Sequence, residues 1–400
     1  MPNILNTNIA LAPGTYVVET EAGFIPTELA SFNTTYMIGT GATGGAPKDI
    51  PTQVISADDF TNVFGVSGSL ASVKLYFANN PNGVLYFVNA TAVAPATPTA
   101  VEIVASIGKA FDEEMTQGFL IAPQIFSGLT SQSDRTSVAN AMRDLVSQEG
   151  YDWVALLDAG PASGTGAVDT AAKANTEAQL YTSERGHIAY FFPYLIDLEA
   201  NTVPPSAAIA GLAIRRYRTE GFQEPPAGAK FPIKGVTDVK VKLTKAQQEV
   251  ANPLGVNYIR NLTNKGVVCW GSRTRSSSAY YRFINTRVIL NVLSGTLKNA
   301  FDSLIFSGVD GQGVLFTRIA ETINQVCYRL WLGGALYGAR PTDAYHAECS
   351  TRNNPAIDLE AGVVRADVWV VPAPTMERLF INLIRTPIGQ VQTVVQQSLG

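Results

Sequence analysis

A glycine-rich run at residues 39–44 is the first part of the sequence with the composition of a chemical site. Its three glycines have the spacing of a dinucleotide-binding loop, and a strand-like run precedes them. That loop binds a pyrophosphate because a helix begins at its last glycine and directs backbone N–H groups at the phosphates. Pro47 and Pro51 disfavour a helix here. The sequence therefore predicts a glycine-rich turn without a nucleotide.

Histidine and cysteine are the other residue types that could bind a metal or act as a nucleophile. His346 and Cys349 lie three positions apart, and with the two other cysteines one zinc site is arithmetically possible. They lie in a strand-like stretch, however, where residues three apart point to opposite faces. We expect buried thiols and a packed histidine. A cysteine nucleophile would need His187 or His346 as its base, and neither has a recognisable catalytic context. The sequence predicts no enzyme, cofactor or metal site.

Arginines form a local cluster with aromatic residues between them in the last third of the chain. The four are Arg273, Arg275, Arg282 and Arg287. One interpretation is a solvated or salt-bridged face. The other is charge-assisted pairing with acidic residues of a partner. Both interpretations are compatible with a structural protein.

Composition limits the class of protein. The chain has 400 residues, of which 46% are hydrophobic and 16% are charged. The charged fraction lies below the roughly 25% of typical soluble domains, as suits a surface that neighbouring subunits cover. The net charge is -4 and basic residues do not form long blocks, so we expect no direct nucleic-acid ligand. The length predicts two or three packed units.

The sequence also bears on the compartment. Three widely spaced cysteines argue against a disulfide framework and predict folding in a reducing cytoplasm. Residues 1–10 do not resemble a secretion signal. The longest uncharged stretch, residues 77–101, is interrupted by asparagines and prolines, so we expect no membrane insertion.

Strand-like and helical patterns alternate through the first half of the chain. Strands are predicted at 34–38, 85–89, 119–122, 153–157 and 188–195, and helices at 58–63, 70–78, 101–111, around 138–145 and at 168–184. This alternation predicts a largely parallel sheet with helices packed on it. Open parallel sheets often bind ligands at strand ends, so a soluble α/β enzyme is the alternative from a different functional class.

The last third has longer helices, predicted at 286–302 and 314–332, followed by strands at 363–370 and 378–384. The uncharged tail from residue 386 is either a mobile terminus or an extended arm, and composition favours the former.

The predicted fold class is α/β and α+β multidomain, with extended arms at both ends. The predicted divisions are an N-terminal arm (1–22), a small α/β outer domain (23–95), an α/β sandwich domain (96–204), a connector (205–260), an inner C-terminal domain (261–385) and a C-terminal arm (386–400).

The order of short motifs resembles the contractile tail sheath family over nearly the whole chain. The matching segments are Pro-Gly-Thr-Tyr-Val-Val-Glu at 13–19, Val-Pro-Pro-Ser at 203–206, Leu-Gly-Val-Asn-Tyr-Ile-Arg at 254–260, Trp-Gly-Ser-Arg-Thr at 270–274, Tyr-Arg-Phe-Ile-Asn-Thr-Arg at 281–287 and Gly-Ala-Leu-Tyr-Gly at 334–338. The chain departs from the pattern at Val288 and at residues 306–310, which puts in doubt any contact inferred there.

The resemblance implies a sheath subunit that forms stacked hexameric rings around a tail tube and contracts to drive the tube through the host envelope for genome delivery. It implies self-association and contacts with the tube, baseplate and tail terminator proteins, in a virion tail assembled in the host cytoplasm. Both termini would add strands to neighbouring subunits; the assembly residues would be Tyr16, Val17, Val18, Glu19, Val391, Val394 and Val395. The arginine cluster would face the tube or a neighbour. A tailocin or a cellular injection system is the alternative within the family.

Overall fold

The structure is a computed structural model that describes residues 28–43, 46–90, 98–111, 117–148 and 150–381. Its strands are β1 (Thr34–Gly39), β2 (Thr52–Val54), β3 (Val84–Asn89), β4 (Gly118–Ile121), β5 (Val154–Asp158), β6 (Ile188–Phe192), β7 (Leu195–Asp197), β8 (Thr202–Val203), β9 (Val236–Val239), β10 (Val256–Leu262), β11 (Gly266–Cys269), β12 (Tyr345–Glu348) and β13 (Asp367–Val370).

The helices differ widely in length. They are α1 (Ala57–Phe64), α2 (Leu70–Asn79), α3 (Ala100–Ala110), α4 (Pro123–Gly128), α5 (Gln132–Val146), α6 (Ala171–Ala178), α7 (Ser206–Glu220), α8 (Lys245–Ala251), α9 (Ile284–Phe301), α10 (Val314–Leu332), α11 (Pro341–Ala344) and α12 (Ala356–Glu360). Among the described residues, no helix is both long and apolar enough to cross a bilayer.

An eight-stranded sheet is the centre of the fold, in the order β11-β10-β6-β5-β4-β1-β3-β2. The six inner strands pair in parallel, and each edge strand pairs antiparallel with its neighbour. The inner strands β1, β4, β5 and β6 are buried along their whole length because helices cover both faces. The mixed, largely parallel fold class is therefore confirmed. We call residues 34–269 the sheet unit.

Local sequence explains where several helices begin. Thr99 begins α3 with a capping box, in which its side chain accepts from the backbone N–H of Glu102 and the Glu102 carboxylate accepts from the backbone N–H of Thr99. Ser56 caps α1 by accepting from Asp59 N–H. These side chains satisfy donors that have no partner inside the helix.

Two predicted elements are shorter than expected. The helix predicted at 168–184 comprises residues 171–178, because Thr170 caps its first turn and the chain turns after Gln179. The strand predicted at 188–195 is divided into β6 and β7, because Pro193 has no N–H to donate to a ladder. β7 instead joins β8 and β9 in a separate antiparallel sheet.

Residues 205–260, predicted as a connector, contain regular structure that the sequence did not predict. Helix α7 packs between the sheet and α2, and it is buried on nearly every side. Because most of its circumference is apolar or small, it lacks the one-sided pattern that marks a surface helix. Strands of the large sheet come from both sides of the predicted boundaries at 95/96 and 204/205. The domain divisions stay a prediction.

The C-terminal unit, residues 284–381, packs α9 against α10 and α10 against a two-stranded sheet of β12 and β13. The prediction of a strand at 363–370 is confirmed for residues 367–370. The strand predicted at 378–384 is wrong for its described part, because residues 378–381 are exposed and make no ladder. Residues 382–384 lie outside the described residues.

Candidate assembly interface

The predicted arm residues lie outside the described part of the chain. These are Tyr16, Val17, Val18 and Glu19 near the N-terminus, and Val391, Val394 and Val395 near the C-terminus. Their role stays a prediction.

Arg273 is held inside the subunit by contacts with segments distant in sequence. Its Nε donates to Glu377 Oε1 at 2.9 Å, and its Nη1 donates to the carbonyl of Asn252 at 3.0 Å. Asn257 binds the backbone of Arg273 on both sides, accepting from N–H at 2.6 Å and donating to the carbonyl at 2.7 Å. The Arg273 side chain is only 12% exposed.

Arg275 and Arg287 also bind groups of their own subunit. Arg275 Nε donates to the carbonyl of Tyr181 at 2.9 Å, and Arg287 Nε donates to Asn291 Oδ1 at 2.7 Å. Burial lowers the pKa of both guanidinium groups. Arg282 is the member of the cluster that is exposed. A role for these arginines toward a neighbour or tube stays a prediction, and in the single subunit three of them have internal partners.

The backbone donors of the glycine-rich turn are bound by the protein itself. Thr40 N–H donates to Gln124 Oε1 at 2.8 Å, Gly41 N–H donates to Asn89 Oδ1 at 2.9 Å, and Ala42 N–H donates to the carbonyl of Phe64 at 2.6 Å. These three N–H groups are therefore not free to bind a phosphate.

The carboxyl end of β5 also serves the fold. Asp158 is fully buried, and its carboxylate accepts from the backbone N–H of Ser206 at 2.8 Å and from the Ser206 hydroxyl at 2.5 Å. Burial raises the pKa of Asp158 to about 7, and the two bonds from Ser206 oppose that rise. The carboxylate thus binds the first turn of α7.

The histidines and cysteines do not come together. Burial raises the pKa of Cys269 and Cys327 to about 12, so their thiolates are scarce near neutral pH. His187 is buried beside the carbonyl of Trp153, with Nδ1 3.0 Å from the oxygen, whereas His346 is exposed on β12. Within the described ranges, no group of three or more His, Cys, Asp or Glu side chains is placed to hold a metal.

Exposed apolar side chains are concentrated in the C-terminal unit. Among the residues that the structure describes, twenty-four large hydrophobic side chains are exposed, and fifteen of them lie between Ile305 and Ile381. They include Phe306, Trp369, Leu379 and Phe380. A concentration of exposed apolar side chains is typical of a surface that binds another protein.

The small sheet of the C-terminal unit presents one packed and one open face. Tyr345, Ala347, Val368 and Val370 pack against the core that α10 helps to form. On the opposite face the ring of His346 stacks on Trp369, with the centroids 5.3 Å apart, and Trp369 is 52% exposed. In the part of the chain that the structure describes, this sheet has two strands. Two strands alone are marginally stable, and their edges can pair with further strands.

The edges of the large sheet are closed by contrast. The loop that precedes β9 covers β11, since Gly228 and Ile233 donate backbone hydrogen bonds to the carbonyls of Cys269 and Val267, both at 2.8 Å. The opposite edge strand, β2, is three residues long and follows Pro51. A short edge beside a proline resists pairing with another chain. The small sheet is therefore the better acceptor.

Sequence reasoning missed the partner of Arg273. Glu377 lies 104 positions away and was not among the residues that the sequence singled out. The available signal was a single acidic residue shortly before the exposed segment 379–381, and it does not identify a partner. Distant ion pairs of this kind become visible only after folding.

Comparison with known proteins shows that part of the chain is similar to tail sheath proteins. Residues 97–275 match the family model of the phage tail sheath protein central domain, which covers most of the sheet unit. This part of the chain therefore resembles the central domain of phage tail sheath proteins. A tail sheath protein of Vibrio phage KVP40 is 26% identical over 189 residues, which are 46% of this chain and 26% of that relative. The chain thus matches about a quarter of that sheath protein's length.

Solved sheath structures share the fold over much more of the chain. The sheath complex of an extracellular contractile injection system in its contracted state has a TM-score of 0.74 at 23% identity, covering 97% of this chain and all of that one. The baseplate of the anti-feeding prophage contains a chain with a TM-score of 0.71 at 22% identity, covering 95% of this chain and all of that one. A sheath tail protein from Listeria innocua has a TM-score of 0.56 at 10% identity, covering 82% and 90%. The sheath fold therefore includes the C-terminal unit.

Proposed function

We propose that this protein is a structural subunit of a contractile sheath, and that its copies join through the C-terminal unit. The observation that carries the proposal is the contrast between a closed large sheet and an open small sheet, which belongs to the unit with most of the exposed large apolar side chains among the described residues. The match of residues 97–275 to the central domain of phage tail sheath proteins supports the same function. No catalytic role is proposed, because the best-placed polar groups at the strand ends are bound within the fold.

Strand addition is the proposed mode of joining. Residues 16–19 of the N-terminal arm and residues 391–395 of the C-terminal arm would pair with the sheet of β12 and β13 in neighbouring copies. Backbone hydrogen bonds would link the copies while the sheet units remain free to change their mutual angle. A stack of hexameric rings could then shorten and twist without coming apart.

Contraction in this proposal needs no nucleotide. The extended sheath would be kinetically trapped, and the contracted state would bury more surface between subunits. Burial contributes about 25 cal/mol per Å² of apolar surface, and the gain adds over many subunits. The free energy for driving a tube through an envelope would thus be stored at assembly.

The proposed partners are further copies of the chain, a tail tube protein, a baseplate and a tail terminator, in a virion tail assembled in the host cytoplasm. The matched sheath structures include a contracted sheath and a baseplate, which supports self-assembly and association with a baseplate. The sheath of a tailocin or of a cellular contractile injection system is the alternative. The fold match to the sheath of an extracellular contractile injection system is the observation that supports an injection-system sheath.

Negative-stain microscopy of the purified protein tests the function. We expect long regular tubes at high protein concentration. Deletion of residues 1–20 is expected to abolish the tubes while the circular dichroism and melting temperature stay unchanged. The substitution Arg143→Gln, on helix α5 of the sheet unit, is the control and should leave the tubes intact. Regular tubes from the deletion variant would exclude the arm mechanism.

A soluble α/β enzyme would behave differently in the same preparation. It would form a discrete oligomer, and a ligand at the strand ends would raise its melting temperature. A wild-type protein that remains a small oligomer at every concentration would contradict the sheath proposal.

A further inference from the structure

Residues 372–377, which we call the strap, connect the small sheet to the sheet unit. The strap leaves β13 beside Leu336, where Ala373 N–H donates to the carbonyl of Ala335 at 2.8 Å. It then passes the first turn of α9 and ends at Glu377 on Arg273. Three parts of the fold therefore bind one short extended segment.

Asn285 is the middle contact of the strap. Its side chain is fully buried at the start of α9, donates to the carbonyl of Ala373 at 3.3 Å, and accepts from the Thr375 hydroxyl at 2.8 Å. The same amide donates to the carbonyl of Gln223 at 3.1 Å. One buried amide thus holds the strap against the sheet unit.

Arg273 and Glu377 make the last contact. Both Nε and Nη2 of Arg273 donate to the Glu377 carboxylate, so the pair is bidentate and fixes direction as well as distance. The arginine is pre-positioned by Asn252 and Asn257 on rigid parts of the sheet unit. Immediately beyond, Leu379, Phe380 and Ile381 are 70–84% exposed. The strap therefore ends just before the exposed apolar segment 379–381.

We propose that Arg273 and Asn285 are positioning residues that clamp the strap, so that the C-terminal tail leaves every subunit from the same point and in the same direction. This inference rests on the proposed sheath function for its purpose, but the clamp itself is a property of one subunit. When the strap is held in place, the tail of each subunit starts from a fixed point and loses less conformational freedom on binding a neighbouring subunit. The effective concentration of the tail at that neighbour is therefore higher. The motif residues Arg273 and Asn285 would act on assembly through the strap.

Tryptic cleavage after Arg378 measures the clamp in the single subunit. In Arg273→Gln, which leaves the cleaved sequence unchanged, we expect cleavage at Arg378 to be about tenfold faster than in the wild type, because a bidentate charge-assisted contact is lost. Thr375→Ala should give a smaller increase without touching buried Asn285. Arg143→Gln removes an arginine from the ion pair with Asp144 and serves as the matched control. Equal cleavage rates in wild type and Arg273→Gln would overturn the clamp.

Polymerisation measures the effect of the clamp on assembly. The protein concentration at which tubes appear should rise about tenfold in Arg273→Gln, as expected for a lower effective concentration of the tail, and should not change in Arg143→Gln. Arg273→Lys keeps the charge and loses the fork, so it should lie between the two. If the wild type forms no tubes, the sheath proposal fails and the cleavage rates still decide the clamp. If wild type and Arg273→Gln form tubes at the same concentration, the positioning role is wrong.

Discussion

The sheet unit and the C-terminal unit differ in how far their polar groups are hydrogen-bonded and their apolar side chains are buried within one subunit. The sheet unit buries its inner strands on both faces, closes the edges of its large sheet and holds the buried charges of Arg135 and Asp158 in hydrogen bonds. The C-terminal unit leaves a two-stranded sheet open and exposes most of the large apolar side chains at the surface. In the proposed assembly, contacts with further chains would complete the C-terminal unit, whereas the sheet unit is already closed within one subunit. The difference teaches where substitutions should affect stability and where they should affect assembly.

The largest stability effect is expected at the buried ion pair of the sheet unit. Arg135 Nε donates to Glu177 Oε1 at 2.6 Å, both side chains are 2% exposed, and Tyr190 and Gly160 donate to the other carboxylate oxygen. Glu177→Gln leaves the guanidinium without its counter-charge, so we expect a loss of about 3–5 kcal/mol in the free energy of unfolding, measured by urea denaturation. The double variant Arg135→Met with Glu177→Met should lose less. A double variant that loses more would show that the hydrogen-bond network outweighs charge burial.

A second prediction concerns pH. Burial, with help from Arg287 and Arg185, lowers the pKa of His187 to about 4 from its usual 6.5. Between about pH 6.5 and pH 4 the unfolded state binds a proton at His187 and the folded state does not. The free energy of unfolding therefore decreases as pH falls through this range. The loss amounts to about 3 kcal/mol at most. His187→Asn should flatten this part of the stability curve, whereas His346→Asn on exposed β12 should not. An unchanged slope in His187→Asn would assign the acid sensitivity to other groups.

Asp158 tests the helix cap in the sheet unit. Ser206→Ala removes the hydroxyl that binds the buried carboxylate but keeps the backbone N–H bond. We expect a loss of about 1–3 kcal/mol, because a buried acceptor then lacks one partner. Burial raises the pKa of Asp158 to about 7, so the folded state favours the protonated acid. The contribution of Asp158 to the free energy of unfolding is therefore largest below the pKa of the unfolded state, and it is lost as pH rises toward 7. Denaturation at pH 5 and pH 8 should show the larger loss where the carboxylate is charged.

The smallest stability effect and a large assembly effect are expected together at Trp369. Its side chain is half exposed and contacts the ring of His346. Trp369→Ala should change the free energy of unfolding of the subunit by about 1 kcal/mol or less, because little surface is uncovered. Tube formation should weaken strongly if this face is covered in the assembly. Tubes that form as readily as in the wild type would place the contact elsewhere and remove the proposed contrast between the two units.

Sequence patterns predicted the local elements well where one kind of burial dominates. Strands β1, β3, β4 and β5 are short apolar runs between turns, and α10 keeps its apolar residues at helical spacing. The predictions failed for a helix that is buried on nearly all sides and for a segment whose strand formation depends on an available sheet edge. Helix α7 is apolar on nearly all sides, and the segment after residue 377 is β-prone but has no strand to pair with in the described part of the chain.

The sequence by itself determined the parallel α/β class, through its alternation of apolar strands and helices. The order of its short motifs gave the resemblance to the contractile tail sheath family. The tertiary structure decided which sheet edges are open and what the clustered arginines bind. Arg273 was a candidate for a neighbour-facing charge, and folding pairs it with Glu377 and makes it part of a clamp. The physical reason is that periodicity follows from local geometry, whereas an ion pair across 104 positions depends on how whole elements pack.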